Sequence, residues 1–147
     1  MNAIELIKSD HDRFRELFRD FRRAEGDRQG EIAREVLPML DAHSRMEEEI
    51  FYPALRNSGD ERAAARIAES YEEHRMQDAL VTELMVMPPG TETFAAKFKV
   101  LMETSELHMK EEERDTLPRA ERLLGDQLDR LGREMAARRG QVLEAVR

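Results

Sequence analysis

The chain contains two similar stretches that indicate its fold, HSRMEEEIFYP at residues 43–53 and HMKEEERDTLP at residues 108–118. Each begins with a histidine, has a glutamate four residues later and ends with a proline ten residues later. A weaker match pairs Asp-His at residues 10–11 with Glu-His at residues 73–74. Because residues four apart lie on the same side of an α-helix, each long stretch brings its histidine and glutamate together. The repeat predicts two related helical hairpins packed about an approximate two-fold axis.

Four breaks divide the chain into helical segments. They are rich in residues that favour turns, and they read GDRQG at 26–30, NSGD at 57–60, MPPGTET at 87–93 and GD at 125–126. Between the breaks, apolar residues recur at three- and four-residue steps, as they do on one face of a helix. The pattern predicts helices over about residues 10–25, 31–56, 60–87, 93–124 and 126–147.

The short turns make neighbouring helices antiparallel. We therefore expect an all-α fold, with an up-down-up-down four-helix bundle at residues 1–124. An additional C-terminal helix at residues 125–147 is expected to pack on the bundle or on a partner. Three prolines are expected to kink or end their helices locally, because proline lacks the N–H that an α-helix needs. They are Pro38, Pro53 and Pro118.

The composition agrees with a helical protein and excludes several kinds of site. Of the 147 residues, 38% are charged and only 5% are aromatic, which disfavours a β-rich fold. A net charge of −8 leaves no basic excess for phosphate contacts, so we expect no nucleic-acid partner. The absence of cysteine excludes disulfides and thiolate metal sites. Without a signal-peptide pattern or a membrane-spanning stretch, we expect a cytoplasmic protein with no membrane partner, and its oligomeric state stays open.

Each of the four long helices contains one of the four histidines, and the turns place these histidines at the same height. Antiparallel helices both rise by about 1.5 Å per residue, so two residues are level when the turn lies midway between them. The midpoints between successive histidines are residue 27, the 58–59 step and residue 91, all within expected turns. One layer of the core should therefore contain His11, His43, His74 and His108.

Two glutamates, each one turn after a histidine, join this layer. Taken singly, a histidine on an apolar stripe is more often a hydrogen-bonded core residue than a ligand. Burying four imidazoles and two carboxylates together without a cation is costly, so the joint pattern favours a metal site. Nitrogen and carboxylate donors without thiolate suit iron or manganese, with zinc as an alternative, and the donors are enough for two ions. The candidate ligands are His11, His43, Glu47, His74, His108 and Glu112.

These residues resemble the hemerythrin-like HHE cation-binding domains, over about residues 3–124. The matching motifs are Asp10-His11, His43-x-x-x-Glu47-Glu48 leading to Tyr52-Pro53, Glu73-His74, and His108-x-x-x-Glu112-Glu113 leading to Pro118. The resemblance implies a four-helix bundle holding a bridged non-haem di-iron centre, with the six candidate ligands around it and both carboxylates bridging. It also implies activity toward dioxygen, hydrogen peroxide or nitric oxide.

The chain departs from the oxygen-carrying members of that family in two places. Those carriers have a further histidine one turn before His74, where this chain has Ser70, and an aspartate five residues after the last histidine. Here helix geometry favours Glu112, four residues on, over Glu113 as a ligand. Tyr71 is the nearest group that could replace the missing histidine, although a core tyrosine with its hydroxyl bonded elsewhere is the favoured interpretation. These departures disfavour reversible oxygen carriage.

We expect a di-iron protein that binds and reduces small oxygen species, with catalase- or peroxidase-like turnover as its enzymatic form. Both ions are expected to be iron, with manganese and zinc ranked below it. The expected small-molecule partners are hydrogen peroxide, dioxygen and nitric oxide. The main alternative is an oxygen- or iron-sensing module without turnover, for which the C-terminal helix offers a contact surface.

Overall fold

Residues 1–146, the part of the chain that the structure describes, form helices joined by short turns. This computed structural model contains no strand among those residues, so the predicted all-helical fold is confirmed. The four longest helices, of 20 to 26 residues, form a helical bundle. None of the described helices is both long enough and apolar enough to cross a membrane. The α-helices are α1 (Ala3–Arg23), α2 (Asp27–Met46), α3 (Tyr52–Arg56), α4 (Glu61–Val86), α5 (Glu92–Glu111), α6 (Leu117–Leu124) and α7 (Leu128–Ala145).

Helix α1 begins at Ala3, so the predicted start near residue 10 is wrong. The reason is a capping box. The side chain of Asn2 accepts a hydrogen bond from the Glu5 N–H at 2.9 Å, and the Glu5 carboxylate accepts one from the Asn2 N–H at 3.0 Å. Because these two bonds satisfy N–H groups that a helix start leaves free, the helix begins two turns earlier than the apolar pattern indicates.

Two π-helical turns, at Glu47–Phe51 and Glu112–Thr116, interrupt the second and fourth predicted helices. In the first, the Tyr52 N–H donates to the carbonyl of Glu47, and in the second the Leu117 N–H donates to the carbonyl of Glu112. A proline follows each turn, and its missing N–H already breaks the α-helical ladder there, which favours a wider turn. The sequence predicted only a kink or an end at these prolines. Helix α2, in contrast, continues through Pro38.

A layer of buried polar side chains separates two apolar clusters in the core. Along α1, Ile7 belongs to the first cluster and Phe14 to the second, and buried His11 lies between them. The second cluster contains a stack of Phe21 on Phe98, whose ring centroids are 4.1 Å apart. The bundle is therefore closed by apolar packing on both sides of the polar layer.

Helix α7 packs against α1 and α2. Its apolar side chains Leu131 and Met135 are buried in the first apolar cluster. Gly132 lies against the start of the chain, so that a Cβ at this position would be 2.4 Å from the carbonyl oxygen of Met1. Close packing of helix against backbone therefore requires glycine here.

Candidate metal centre

The six side chains predicted as ligands all lie in the polar layer. Their solvent-exposed fractions range from 0 to 5%, so all six side chains are buried. His11 comes from α1, His43 from α2, His74 from α4 and His108 from α5, one from each long helix. Glu47 and Glu112 are the first residues of the two π-helical turns. The turns of the chain thus bring together the groups that the midpoint argument placed at one height.

One group of donors consists of His11, His43, Glu47 and Glu112, each offering an atom within 4.8 Å of the others. The Nε2 atom of His11 lies 3.2 Å from Oε1 of Glu112. The Nε2 atom of His43 lies 3.2 Å from Oε1 of Glu47. This set of two imidazoles and two carboxylates can hold a metal ion.

A second group consists of Glu47, His74 and His108. The Nε2 atoms of the two imidazoles are 3.1 Å apart, and Nε2 of His74 is 3.2 Å from Oε1 of Glu47. Glu112 also reaches this group, with its Oε2 atom 3.5 Å from Nε2 of His108. Donors at right angles around one ion, each about 2.1 Å from it, are about 3.0 Å apart. The spacing of the second group therefore also suits a metal ion, and Glu47 belongs to both groups.

Four buried donor atoms in the first group have no hydrogen-bond partner. They are Nε2 of His11, Nε2 of His43, Oε2 of Glu47 and Oε1 of Glu112. Buried polar atoms are nearly always hydrogen-bonded, because an unpaired one costs the free energy of its lost hydration. All four atoms belong to residues of the group that can hold an ion, and a bound cation would give these residues a partner. The residues present fit a metal site.

The other ring nitrogen, Nδ1, of each histidine faces a carboxylate from another helical segment. Nδ1 of His43 donates to Asp10 at 2.8 Å. Nδ1 of His108 donates to Glu73 at 2.7 Å, and Nδ1 of His11 donates to Glu113 at 2.6 Å. The fourth pair, His74 with Glu48, is longer at 3.5 Å and lacks hydrogen-bond geometry. Since a carboxylate only accepts, these contacts keep the proton on Nδ1 and leave Nε2 free to bind a cation.

These outer carboxylates repeat in the two halves of the chain. Asp10 and Glu73 directly precede a histidine, and Glu48 and Glu113 directly follow a candidate glutamate ligand. The sequence contains this signal, an acid beside a candidate ligand, but it predicts for these residues only a place in the matching motifs and, for Glu113, a disfavoured place as a ligand. Each carboxylate contacts the histidine of another helix, and such pairing cannot be found from the periodicity of a single helix.

Tyr52 is the residue of the centre that sequence reasoning missed. Its side chain is fully buried, and its hydroxyl donates to Oε2 of Glu112 at 2.6 Å. The hydroxyl oxygen of Tyr52 also lies 3.2 Å from Nε2 of His74 and 3.3 Å from Nε2 of His108. Tyr71, the sequence candidate for this role, instead donates to the backbone carbonyl of Glu48 at 2.9 Å. Its placement agrees with the favoured interpretation, a tyrosine whose hydroxyl is bonded elsewhere.

The carboxylates around the histidines raise the pKa of these histidines by more than burial lowers it. Burial lowers the pKa of His43, but the charge of Glu47 and the hydrogen bond to Asp10 raise it to about 10. Burial also lowers the pKa of His108, but hydrogen bonds to Glu112 and Glu73 raise it to about 10. The layer therefore holds positive charge strongly, as protons or as a metal ion in their place.

Comparison with known proteins agrees with this geometry. The family model described as the hemerythrin HHE cation-binding domain matches residues 2–120. The uncharacterized protein Rv2633c of Mycobacterium tuberculosis (strain H37Rv) is 29% identical over 142 residues, which cover 94% of this chain and 85% of that protein. The uncharacterized protein Mb2666c of Mycobacterium bovis gives the same values.

A solved structure is also similar. The crystal structure of a hemerythrin HHE cation-binding domain-containing protein from Mycobacterium kansasii, a homologue of Rv2633c, matches with a TM-score of 0.82. The two chains are 28% identical, and the match covers 99% of this chain and 89% of the other. Because the family model covers residues 2–120, most of the chain, this chain belongs to the hemerythrin HHE cation-binding domain family.

Proposed function

We propose that this chain is a non-haem di-iron protein that binds and reduces small oxygen species, hydrogen peroxide first among them. The observation that carries the proposal is the sharing of buried Glu47 between two groups of donors, each able to hold an ion. One carboxylate placed between two pairs of imidazoles suits a bridge between two ions better than a site for one.

In this proposal two imidazoles would hold each ion, and the two carboxylates would be shared between the ions. The two oxygens of Glu112, 3.2 Å from His11 and 3.5 Å from His108, support its role as the second bridge. His11 and His43 would hold the first ion, His74 and His108 would hold the second, and Glu47 and Glu112 would serve both.

Iron fits these donors better than the alternatives. The chain has no cysteine, so the donors are imidazole and carboxylate, a mixture that suits iron. Manganese favours sites richer in oxygen donors, and zinc has no redox chemistry. When bound, two ferrous ions would supply two electrons to one dioxygen or hydrogen peroxide, and in catalase-like turnover a second hydrogen peroxide, oxidised to dioxygen, would return them. Two imidazoles and two shared carboxylates would give each ion four protein donors, fewer than an octahedral site needs, and would leave a place for a small ligand.

Tyr52 supplies a proton at the edge of the same space. Burial, followed by the charges of Glu112 and Glu47, raises the pKa of its hydroxyl well above the ordinary value. The hydroxyl therefore stays protonated and donates to Glu112 at 2.6 Å. Two-electron reduction of one peroxide to two waters takes up two protons, and oxidation of a second peroxide to dioxygen releases two. The Tyr52 hydroxyl, whose oxygen lies 3.2 Å from Nε2 of His74, would donate a proton in the first half of this cycle and regain one in the second.

Peroxide consumption by purified protein tests this proposal. The iron-loaded protein is expected to consume hydrogen peroxide faster than the same concentration of free iron, and the metal-free protein is expected to be inactive. After reduction, it should be oxidised rapidly by dioxygen. A stable, reversible spectral change with dioxygen, together with no peroxide consumption above that of free iron, would contradict the enzymatic proposal.

A sensing module without turnover is the second candidate function. The observation that favours it is the contact of Arg139 on α7 with Asp10, whose carboxylate also contacts His43. This contact connects a peripheral helix to the polar layer. A metal-dependent change in oligomeric state without peroxide consumption would support this candidate instead.

A further inference from the structure

We propose that Arg139, on the C-terminal helix, is a positioning residue for His43, and that it acts by holding the carboxylate of Asp10. The inference rests on the proposed function in one respect, that His43 is a metal ligand. Arg139 itself does not touch the candidate metal site.

The contacts run in one line from the surface to the centre. The guanidinium of Arg139 donates to Oδ1 of Asp10. The other oxygen of Asp10, Oδ2, accepts from Nδ1 of His43 at 2.8 Å. The opposite ring nitrogen, Nε2, lies 3.2 Å from Oε1 of Glu47 in the polar layer. Both oxygens of one buried carboxylate are therefore used, one by the helix α7 and one by the candidate ligand.

The exposed fractions of the side chains fall along this line. The side chain of Arg139 is 30% exposed, that of Asp10 is 10% and that of His43 is 7%. An ion pair at this depth is less screened by water than a surface pair, so it orients its partner more strongly. If Arg139 is removed, Asp10 keeps a poorly hydrated charge and loses the contact that holds its orientation. The imidazole of His43 then loses a fixed partner.

The other two outer carboxylates with arginine contacts are held from within the bundle. Arg15 on α1 donates to Glu113 at 2.8 Å, and Arg66 on α4 donates to Glu73 at 3.3 Å. Both arginines lie within the residues that the family model matches, whereas Arg139 lies beyond residue 120, where that match ends. His43 is therefore the histidine whose placement depends on the C-terminal helix.

The structure offers a matched control on the same helix. Arg138 is the neighbour of Arg139 and also pairs with an acid of the bundle, Glu49, through two hydrogen bonds. Glu49 is not hydrogen-bonded to any of the four histidines in the described chain. Replacing Arg138 removes an ion pair between α7 and the bundle and leaves the contacts of Asp10 unchanged.

The test is the rate at which the reduced, iron-loaded protein releases iron to an excess of a ferrous chelator without oxygen. Removing a carboxylate bonded directly to a metal-binding imidazole weakens metal binding by roughly 10- to 100-fold. Because Arg139 acts one contact further out, Arg139→Gln is expected to speed release by about 3- to 10-fold. Arg138→Gln should leave the rate at the wild-type value, and Arg139→Lys, which keeps the charge, should restore part of the wild-type rate.

A double-mutant cycle shows whether the effect passes through Asp10. In an Asp10→Asn background, Arg139→Gln should add little further acceleration, because the charge that Arg139 holds is gone. The inference is overturned if Arg139→Gln releases iron at the rate of Arg138→Gln, or if its acceleration persists in full in the Asp10→Asn background. A wild-type chain that binds no metal would instead overturn the proposed function, and with it this inference.

Discussion

Glu112 and Glu113 are adjacent in sequence, but they contact different nitrogens of the same imidazole. Oε1 of Glu112 lies 3.2 Å from Nε2 of His11, and Oε2 of Glu113 lies 2.6 Å from Nδ1. Consecutive residues are rotated by about 100° around an α-helix, so neighbours reach a third side chain from different sides. Only the carboxylate on the Nε2 side can share an ion with His11.

The pair of variants Glu112→Gln and Glu113→Gln tests this difference. Glu112→Gln removes a charged donor from the centre and should reduce bound iron to about half of the wild-type amount or less. Glu113→Gln keeps an oxygen that can accept from Nδ1, so bound iron at saturation should stay near the wild-type amount. Iron content of the two purified proteins is the measurement. Equal losses in both, or a loss confined to Glu113→Gln, would show that the assignment is reversed or incomplete.

Tyr52→Phe tests the proton donor. The change keeps the buried ring and removes the hydroxyl that donates to Glu112 at 2.6 Å. Because loss of a positioned proton donor costs about 10²- to 10⁴-fold, peroxide consumption should fall by at least 10-fold while iron content is retained. Tyr71→Phe is the control, since that hydroxyl contacts a backbone carbonyl outside the centre. Unchanged peroxide consumption in Tyr52→Phe would refute the role given to its hydroxyl.

The two π-helical turns explain why the sequence predicted the layer of four histidines but not the place of Tyr52. The layer of four histidines was predictable, because the turns that level them are marked by glycine and proline. Tyr52 was not, because five residues after Glu47 a regular helix would place it about 140° away. The Tyr52 N–H donates to the carbonyl of Glu47, five residues before it, so this turn contains one residue more than an α-helical turn. The wider turn rotates Tyr52 toward the centre.

The start of α1 was missed for a related reason. The apolar stripe reports which residues face the core, whereas the helix begins where Asn2 and Glu5 satisfy the first free N–H groups. Helix bounds and local turns depend on single hydrogen bonds that the periodicity of apolar residues does not contain. The four long helices and the layer of histidines depend on many residues together, and the sequence predicted those.

The packing of α7 is tested by Gly132→Ala. A Cβ at this position would lie 2.4 Å from the carbonyl oxygen of Met1 and 2.7 Å from the carbonyl carbon of Asn2, so backbone has to move. We expect a loss of about 1–3 kcal/mol in the free energy of unfolding, as for other overpacked sites. Gly140→Ala is the control, because nothing lies within 4 Å of its Cβ position, and it should stabilise the helix by about 0.5–1 kcal/mol. Urea unfolding measures both, and a neutral Gly132→Ala would contradict the docking of α7.

The stability of the whole molecule depends on the positive charge that compensates the carboxylates of the polar layer. Apolar clusters lie on either side, and the layer between them holds four buried imidazoles and two buried carboxylates. In the metal-free protein, protons on the imidazoles supply the compensating positive charge. In the metal-loaded protein, the ions supply it and the protons are released.

This exchange predicts the pH dependence of the metal-free protein. Burial lowers the pKa of each histidine, but the surrounding carboxylates raise it to about 10 for His43 and His108 and about 9 for His74. A pKa raised on folding adds stability that is fully present below the unfolded value and is lost as the pH rises through the folded pKa. The free energy of unfolding should therefore fall as the pH rises from about 6.5 to about 10. Urea unfolding across this range measures it, and a flat or rising profile would contradict the account.

A centre of two irons held by six buried donors gives a definite metal content, which total metal analysis measures in protein purified without added metal. We expect two irons per wild-type chain. In His43→Ala and in His108→Ala we expect a loss of metal together with a lower melting temperature, since metal that binds only the folded state stabilises it. Metal near zero in the wild-type protein, or full occupancy in both variants, would contradict it.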